Sequence, residues 1–358
     1  MQCRFIYLIL FPVLLLTGCT SFQLSNKDYV FQEVYYLTTR EDTHSENPDK
    51  RYNGKRGEPS VGIAMVAIDP KKAFSSFAEE QPNRELQQTE MLRTRALQQI
   101  QVLSVEEFRE SISLFIADNE TAPEALIYIH GYKKDFDDNV TNAAKLRFEL
   151  AFPGPVFAFS WPSTNRISGY LTDIENLEWS ESQLRRLLAI VAEQIPGVRI
   201  HLLAHSMGNR GLVESLFHLY YTEPDFADWS IGEIIFAAPD FDRAIFIESV
   251  AKQLEEIPFR KTLYVSSHDF PLLASAQLYQ YPRLGDSRHG APVIEGIQTI
   301  DVSDAINITD GHGYYESNQE TIDDLYYLIR EGNSPAERPT LIEVKSDNGS
   351  YWRLKRQE

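Results

Sequence analysis

Short apolar segments and longer helix-like segments alternate along much of this chain, between residues 125 and 330. Each apolar run is rich in Val, Ile, Leu and Phe, and a segment of helical character follows it. Strands that alternate with helices in this way form a parallel sheet whose two faces are covered by the helices. The sequence therefore predicts an α/β fold with a mostly parallel central sheet and helices on both faces. Its 358 residues allow one large domain or two smaller ones.

The predicted elements follow one another along the chain. Strands are predicted at Ala125–Ile129, Val156–Phe159, Arg199–Leu203, Glu233–Phe236, Thr262–Val265 and Gln298–Val302. Helices are predicted at Asn139–Leu150, Glu181–Gln194, Asn209–Tyr221, Ala244–Glu255, Leu272–Tyr279 and Glu320–Arg330. Upstream, the sequence predicts strands at Val30–Leu37 and Val61–Ile68, a loop at Thr38–Pro59 and a helix at Glu85–Leu103. Near the end, Asn348-Gly349 predicts a hairpin of Leu341–Lys345 with Tyr351–Lys355.

The first residues have the features of a bacterial export signal. Arg4 precedes an apolar run, Phe5–Leu16, that is too short to span a bilayer but suits the core of a signal peptide. The run ends in Leu16-Thr17-Gly18-Cys19, which resembles a lipobox, where the cysteine is lipidated and becomes the new N-terminus. The alternative is a plain signal peptide with an incidental cysteine. The lipobox interpretation assigns residues 1–18 to the signal peptide and 19–29 to a tether.

Lipidation at Cys19 would attach the chain to the cell envelope, because attached acyl chains partition into the bilayer. Thr20 follows the cysteine, and by resemblance to the usual sorting pattern it favours the outer membrane, with the protein facing the periplasm. The only other cysteine, Cys3, lies in the signal segment, so neither a disulfide framework nor a cysteine zinc site is expected.

The charge of the chain excludes some partners. With 34 Lys+Arg against 52 Asp+Glu, the formal net charge is −18. Nucleic-acid binding needs a basic surface, and anionic lipid repels an acidic one, so neither is an expected partner of the protein body. The sequence has no phosphate-binding loop pattern and no His-Glu-x-x-His, so no cofactor and no metal are expected.

The strongest chemical motif surrounds Ser206. Ala204-His205-Ser206-Met207-Gly208 follows a predicted strand and opens a predicted helix, which is the setting of a nucleophile elbow. Small residues are needed there because the serine backbone is strained and neighbouring chains approach closely. The motif predicts that the Ser206 hydroxyl lies at the carboxyl edge of the sheet as a nucleophile.

A second motif, His130-Gly131-Tyr132, follows the strand Ala125–Ile129. The loop after such a strand supplies one backbone N–H of an oxyanion hole, and the residue after the nucleophile supplies the other. The sequence therefore predicts Tyr132 and Met207 as the oxyanion donors. The alternative is an ordinary turn after a strand.

The chain order of a hydrolase triad, Ser…Asp/Glu…His, predicts His312 as the base, because it follows the last predicted strand of the region. Two carboxylates fit the orienting acid. Asp269 ends the penultimate strand segment and is preferred, and Asp240 ends the strand before it and is the alternative acid. His205 is adjacent to Ser206, and we expect its side chain to point away from the site.

Further residues are candidates for the pocket. His130, Gly131, Lys133, Trp161 and Tyr170 are placed near the predicted site by the strand ends that precede them. His130 also fits a hydrogen-bonding turn residue, and Trp161 equally fits core packing at a strand end. The segment Asn165–Trp179, between a strand and a helix, is the candidate lid or pocket insert.

Together these motifs resemble an uncharacterised bacterial family of α/β-hydrolases. The matching stretches are His130-Gly131-Tyr132, Phe159-Ser160-Trp161-Pro162-Ser163, Tyr170 with Asp173, Ala204–Asn209, Ala238-Pro239-Asp240 with Asp242, Tyr264–Ser267 with Asp269, and His312 with Tyr314-Tyr315. The resemblance implies the α/β-hydrolase fold and a triad of Ser206, Asp269 and His312. Two departures are Lys133, where the family usually has Asn, and Gly313, where a small polar residue is common.

The sequence thus predicts a membrane-anchored serine hydrolase that cleaves a small-molecule or lipid ester through an acyl-enzyme on Ser206. An amidase or peptidase of the same fold, or a non-catalytic envelope-binding lipoprotein, is the alternative. Residues 30–120 are assigned to N-terminal strands and a helix, 121–332 to the hydrolase core, and 333–358 to a polar tail.

Overall fold

The computed structural model describes residues 27–73, 96–118, 123–195, 197–305 and 311–356. The predicted signal peptide, the lipidation site Cys19 and the first part of the predicted helix Glu85–Leu103 lie outside the described residues. The strands are β1 Lys27–Asp42, β2 Tyr52–Ile68, β3 Leu97–Leu103, β4 Glu124–Ile129, β5 Val156–Ser160, β6 Arg199–His205, β7 Ile231–Ala237, β8 Lys261–Val265, β9 Gln298–Asp301, β10 Leu341–Ser346 and β11 Gly349–Leu354. The α-helices are α1 Val105–Asp118, α2 Phe136–Glu149, α3 Tyr170–Gln194, α4 Gly208–Thr222, α5 Arg243–Ile245, α6 Ala251–Glu255, α7 Phe270–Tyr279, α8 Tyr314–Ser317 and α9 Gln319–Ile329, and a π-helical turn, Phe246–Val250, joins α5 to α6.

The described strands form one sheet of eleven strands in the order β10-β11-β9-β8-β7-β6-β4-β5-β1-β2-β3. All pairings from β11 across to β1 are parallel, and only the pairs at the two ends of the sheet, β10·β11, β1·β2 and β2·β3, are antiparallel. The predicted fold, a mostly parallel sheet flanked by helices, is confirmed.

Most residues of the central strands are apolar because both faces of these strands are buried. In β4, Ile127 and Ile129 pack into the hydrophobic core on one face of the sheet, whereas Leu126 and Tyr128 pack into the core on the other. Because β4, β6 and β8 are parallel, their carboxyl ends lie at the same edge of the sheet, and the loops that follow them carry the candidate site residues.

Two predictions upstream of residue 120 are wrong. The segment Thr38–Pro59 is not a loop throughout, because β1 continues to Asp42 and β2 starts at Tyr52, with the two strands paired. Leu97–Leu103 is not helical but forms β3, an edge strand antiparallel to β2. In both cases, main-chain hydrogen bonds to a neighbouring strand stabilise the strand conformation, although the sequence pattern of polar side chains did not indicate a strand.

The predicted C-terminal hairpin is confirmed, and it also extends the sheet. β10 and β11 pair antiparallel, and β11 pairs parallel with β9. Residues 341–354 are therefore part of the central sheet. No helix in the described part of the chain is long and apolar enough to cross a membrane.

Candidate active site

Ser206 lies in a tight turn between β6 and α4. Its φ of +53° is in the left-handed region, which is strained for a residue with a side chain, and its amide donates to the carbonyl of Ala237 at 2.9 Å. The side-chain amide of Asn209 donates to the Ser206 carbonyl at 2.9 Å. At Gly208, a Cβ would lie 2.4 Å from the carbonyl oxygen of His130, so the turn requires glycine there. These contacts hold Ser206 at the carboxyl edge of the sheet.

His312 and Asp269 form a hydrogen-bonded pair beside Ser206. Nδ1 of His312 lies 2.7 Å from Oδ2 of Asp269, and Ser206 and His312 line the same cavity. The other carboxylate oxygen of Asp269 accepts from the amide of Leu272 at 2.8 Å, which caps α7 and fixes the carboxylate. Burial raises the pKa of Asp269, and the adjacent His312 opposes that rise.

The loop that carries His312 packs directly on the loop that carries Asp269. Gly311 has a φ of +67°, and a Cβ there would lie 2.0 Å from the carbonyl oxygen of His268. Only glycine fits both the backbone conformation and this contact, so Gly311 fixes the approach of His312 to Asp269.

The second carboxylate, Asp240, lies in the cavity wall with other partners. Its Oδ1 accepts from the guanidinium of Arg283 at 2.6 Å and from the hydroxyl of Ser275 at 2.8 Å, and its Oδ2 accepts a short hydrogen bond from Tyr170. The structure therefore places Asp269 against His312, and it places Asp240 in an ion pair with a buried arginine.

The candidate oxyanion loop lies against the nucleophile. A Cβ at Gly131 would lie 2.7 Å from Cβ of Ser206, so glycine allows the loop to approach. Among the described residues, the amides of Tyr132 and Met207 donate to no backbone carbonyl outside regular elements. Lys133 follows with a φ of +58° and donates its amide to Ser163 Oγ at 2.9 Å. The left-handed backbone at position 133 suits Asn better than Lys. Asn is the usual residue at this position in the family that the sequence resembles.

A buried arginine that the sequence analysis missed supports this loop. Arg40, on β1, donates to the carbonyls of Lys134 at 2.8 Å and Ser163 at 3.1 Å and to Ser160 Oγ at 2.8 Å. Its guanidinium also lies 3.4 Å from Nε2 of His130. Burial lowers the pKa of Arg40 to about 10, so it stays cationic at neutral pH. The sequence did not indicate a role for Arg40, because Arg40 lies in the segment Thr38–Pro59 that was predicted to be a loop.

The structure does not place Trp161 or His130 in the cavity wall. Both are fully buried and their rings stack at 4.7 Å, while the Trp161 indole donates to the His130 carbonyl at 2.9 Å. Of the two alternatives for Trp161, core packing is the one observed. Burial lowers the pKa of His130 well below its usual value, so it is a neutral hydrogen-bonding residue behind the loop.

His205, which was expected to point away from the site, lines the cavity instead. Its ring lies 4.4 Å from that of His312 and 4.6 Å from that of Tyr315, and its Nε2 lies 3.2 Å from the His312 carbonyl. Burial lowers the pKa of His205 well below its usual value, so the neutral ring donates to that carbonyl. The turn at Ser206 redirects the chain, and strand alternation therefore fails as a guide at this position.

Ser206, His205 and His312 open into a cavity of about 610 Å³. The cavity is also lined by Tyr132, Lys133, Lys134, Asp138, Asn165, Ile167, Tyr170, Asp240, Pro271, Leu272, Ala274, Ser275, Leu278, Gly313 and Glu316. The pocket candidates Lys133 and Tyr170 are thus in its wall. The segment Asn165–Trp179 contributes Asn165, Ile167 and Tyr170, of which only Tyr170 lies in α3. The described residues contain no group of three or more His, Cys, Asp or Glu side chains placed to hold a metal ion.

Residues 105–330 match the family described as "Alpha/beta hydrolase of unknown function (DUF900)". No curated protein matches the chain. Similar solved structures include a poly(3-hydroxybutyrate) depolymerase, LpqC, from Bordetella parapertussis, with 12% identity over 86% of this chain and 91% of that one and a TM-score of 0.40. An esterase from Pyrobaculum calidifontis has 11% identity over 63% and 91%, with a TM-score of 0.32. An alpha-beta serine hydrolase homologue from Coxiella burnetii has 15% identity over 60% and 87%, with a TM-score of 0.32.

Proposed function

Because the chain belongs to the DUF900 family of α/β-hydrolases, whose reaction is unknown, we propose that it is a serine hydrolase that cleaves a carboxylic ester or a lipid acyl bond through an acyl-enzyme on Ser206. The observation that carries the proposal is the 2.7 Å hydrogen bond between His312 and the buried Asp269, beside a serine held in a strained turn. A buried carboxylate that orients a histidine next to a strained serine is the arrangement that nucleophilic acyl transfer requires.

The reaction follows from the roles of these side chains. With Nδ1 of His312 donating to Asp269, Nε2 has a lone pair that accepts the Ser206 hydroxyl proton while the serine oxygen attacks the ester carbon. The amides of Tyr132 and Met207 stabilise the negative oxygen that develops, a contribution of about 3 kcal/mol per donor in related sites. The proton on His312 then passes to the departing alkoxide as the carbon–oxygen bond breaks. Water repeats the sequence on the acyl-enzyme and releases the acid.

Asp269 remains ionised during these steps. It fixes the tautomer of His312 and stabilises the imidazolium, but it takes no proton. Arg40 supports the same reaction indirectly, because it holds the carbonyl of Lys134 and the ring of His130 on either side of the oxyanion loop.

We also propose that the chain is lipidated at Cys19 and held at the periplasmic side of the outer membrane. The support is the sequence Leu16-Thr17-Gly18-Cys19 after an apolar run. Growth of expressing bacteria with radiolabelled palmitate should label the wild type and not Cys19→Ser. Equal labelling of both chains would overturn this part of the proposal.

A fluorophosphonate probe tests the serine nucleophile. The wild type should be labelled covalently, and Ser206→Ala should not be. Ser168→Ala is a matched control, because Ser168 is exposed and lies outside the cavity wall, and it should be labelled as the wild type is. Labelling that persists in Ser206→Ala, or that is absent from the folded wild type, would contradict the proposal.

A further inference from the structure

The cavity has one apolar wall and one polar wall. The apolar wall is formed by α7 and by the turn that leads into α3, namely by Ile167, Tyr170, Pro271, Ala274 and Leu278, and it includes two polar residues, Asp240 and Ser275, that hydrogen-bond to each other. We call it the acyl wall. The polar wall is formed by Lys133, Lys134, Asp138, Gly313 and Glu316, from the loop after β4, the start of α2 and α8.

Contacts join the elements within each wall, and Tyr132, whose hydroxyl donates to the carbonyl of Ile167 at 2.6 Å, joins the loop after β4 to the acyl wall. In the acyl wall, the rings of Tyr170 and Tyr279 lie 5.8 Å apart, which joins the start of α3 to α7. In the polar wall, Lys134 pairs with Glu316 at 3.1 Å, which joins the loop after β4 to α8. Ser206 and His312 line the same cavity as both walls.

The acyl wall continues onto the outside of the protein. Ile167 and Leu278 line the cavity and are also 79% and 59% exposed, and the neighbouring Leu171 and Phe270 are 65% and 51% exposed. The sequence of α7, Phe270–Tyr279, contains no charged residue. A helix without charge is normally buried on all sides, so the exposed apolar side of α7 indicates an apolar occupant.

The chemistry of the proposed function fixes the direction of a bound ester. The departing alkoxide takes its proton from His312, so the leaving group must lie on the side of that residue. Gly313 and Glu316 of the polar wall follow His312 in the chain, which favours a leaving group that lies against the polar wall. The acyl group then lies on the opposite side, against α7 and the start of α3.

We infer that the substrate is an ester of a long acyl chain with a polar, negatively charged leaving group. This inference rests on the proposed function. The chain lies along the acyl wall and leaves the cavity between Ile167 and Leu278, where the apolar surface continues outside. Within the described residues Lys134 is paired with Glu316, whereas Lys133 forms no salt bridge, so Lys133 is the cation that meets the leaving group.

A series of soluble esters with increasing acyl length tests the inference, with all substrates kept below the concentration at which they aggregate. Each methylene that reaches the acyl wall should raise kcat/KM, by at most about fourfold, because burial of one methylene contributes about 0.8 kcal/mol. Leu278→Gln should flatten this dependence and lower the ratio of long-chain to short-chain kcat/KM. Leu114→Gln is the matched control, because Leu114 is 57% exposed on α1, and it should leave the dependence as in the wild type.

A second arm tests the leaving group. Lys133→Gln should lower kcat/KM for an ester with an anionic leaving group more than for the neutral ester of the same acyl chain. A chain-length dependence that is absent in the wild type, or unchanged by Leu278→Gln, would overturn the inference. So would activity that appears only above the aggregation limit, because it would indicate docking on a lipid surface.

Binding separates this inference from the proposed function. Calorimetry with Ser206→Ala measures the affinity of the acyl wall for the intact long-chain ester, because this variant does not turn the ester over. Adding Leu278→Gln to Ser206→Ala should weaken that binding. If Ser206→Ala still hydrolyses esters, the proposed function fails. If hydrolysis depends on Ser206 but long and short chains bind and react equally well, only the inference about the acyl chain fails.

Discussion

Replacing Gly131 by alanine should inactivate the protein without unfolding it. The added methyl group would lie 2.7 Å from Cβ of Ser206, whereas ordinary contacts begin at 3.4 Å, so the loop or the serine must shift by about 0.7 Å. The φ of Gly131 is not positive, so alanine suits the backbone and the contact alone decides the outcome. Displacements of about 1 Å in a catalytic site cost about 100-fold in rate, and loss of one oxyanion donor costs about as much or more. We therefore expect kcat to fall at least about 100-fold.

The assay is hydrolysis of a soluble chromogenic ester, with thermal unfolding measured on the same samples. Gly290→Ala is the control, because Gly290 has a φ of +91° and an added methyl group there meets nothing within 4 Å. It should lose some stability from the strained backbone and keep wild-type kcat. If Gly131→Ala keeps kcat within a few-fold of the wild type, the loop 131–132 does not form the oxyanion site.

Three further predictions concern the acid, the buried arginine and a partly buried carboxylate. Asp269→Asn should lower kcat by about 10⁴-fold with little loss of Tm, since Asn also caps helices. Asp240→Asn should mainly lower the stability of the fold, because it removes the charge that pairs with the buried Arg283. The opposite pattern in ester kinetics and thermal unfolding would exchange their roles. Arg40→Met should lower the free energy of unfolding in urea by about 2–6 kcal/mol, because it leaves two buried carbonyls unpaired, and an unchanged urea midpoint would show that they find other partners. Burial and the nearby Glu214 raise the pKa of Glu181 from 4.5 to about 7, so the wild type loses stability as pH rises through that range. Glu181→Gln should therefore be more stable than the wild type above pH 7 by about 1 kcal/mol, since solvent screens this carboxylate, and equally stable near pH 4.5, which thermal unfolding across that range would check.

The central part of the fold could be predicted because its signals are local. The central strands are buried on both faces, so β4 and β6 appear in the sequence as mostly apolar runs, and helix periodicity follows each of them. The turn at Ser206 was also visible, since small residues stand where a strand meets a helix. Chain order predicted His312 as the base, and it favoured Asp269 as the acid without excluding Asp240.

The remaining features depend on contacts between distant segments. The extension of β1 to Asp42 is fixed by pairing with β2, and β3 is fixed in the same way, while their own side chains are largely polar. The role of Arg40 is evident only from the structure, in which Arg40 on β1 contacts residues at the ends of β4 and β5 and in the loops that follow them. The prediction for His205 was wrong and that for Trp161 stayed open for the same reason, because the direction of a side chain at the end of a strand is set by what packs around it.

The acyl-enzyme is the most direct test of the central claim. The wild type should be mixed with an excess of a chromogenic ester, quenched with acid within the first turnover, digested and analysed by mass spectrometry. The proposed chemistry predicts a burst of alcohol and an acyl group on the peptide that contains Ser206, with neither in Ser206→Ala. Two results would contradict it: hydrolysis by the wild type with an acyl group on a different residue, or hydrolysis by Ser206→Ala at the wild-type rate.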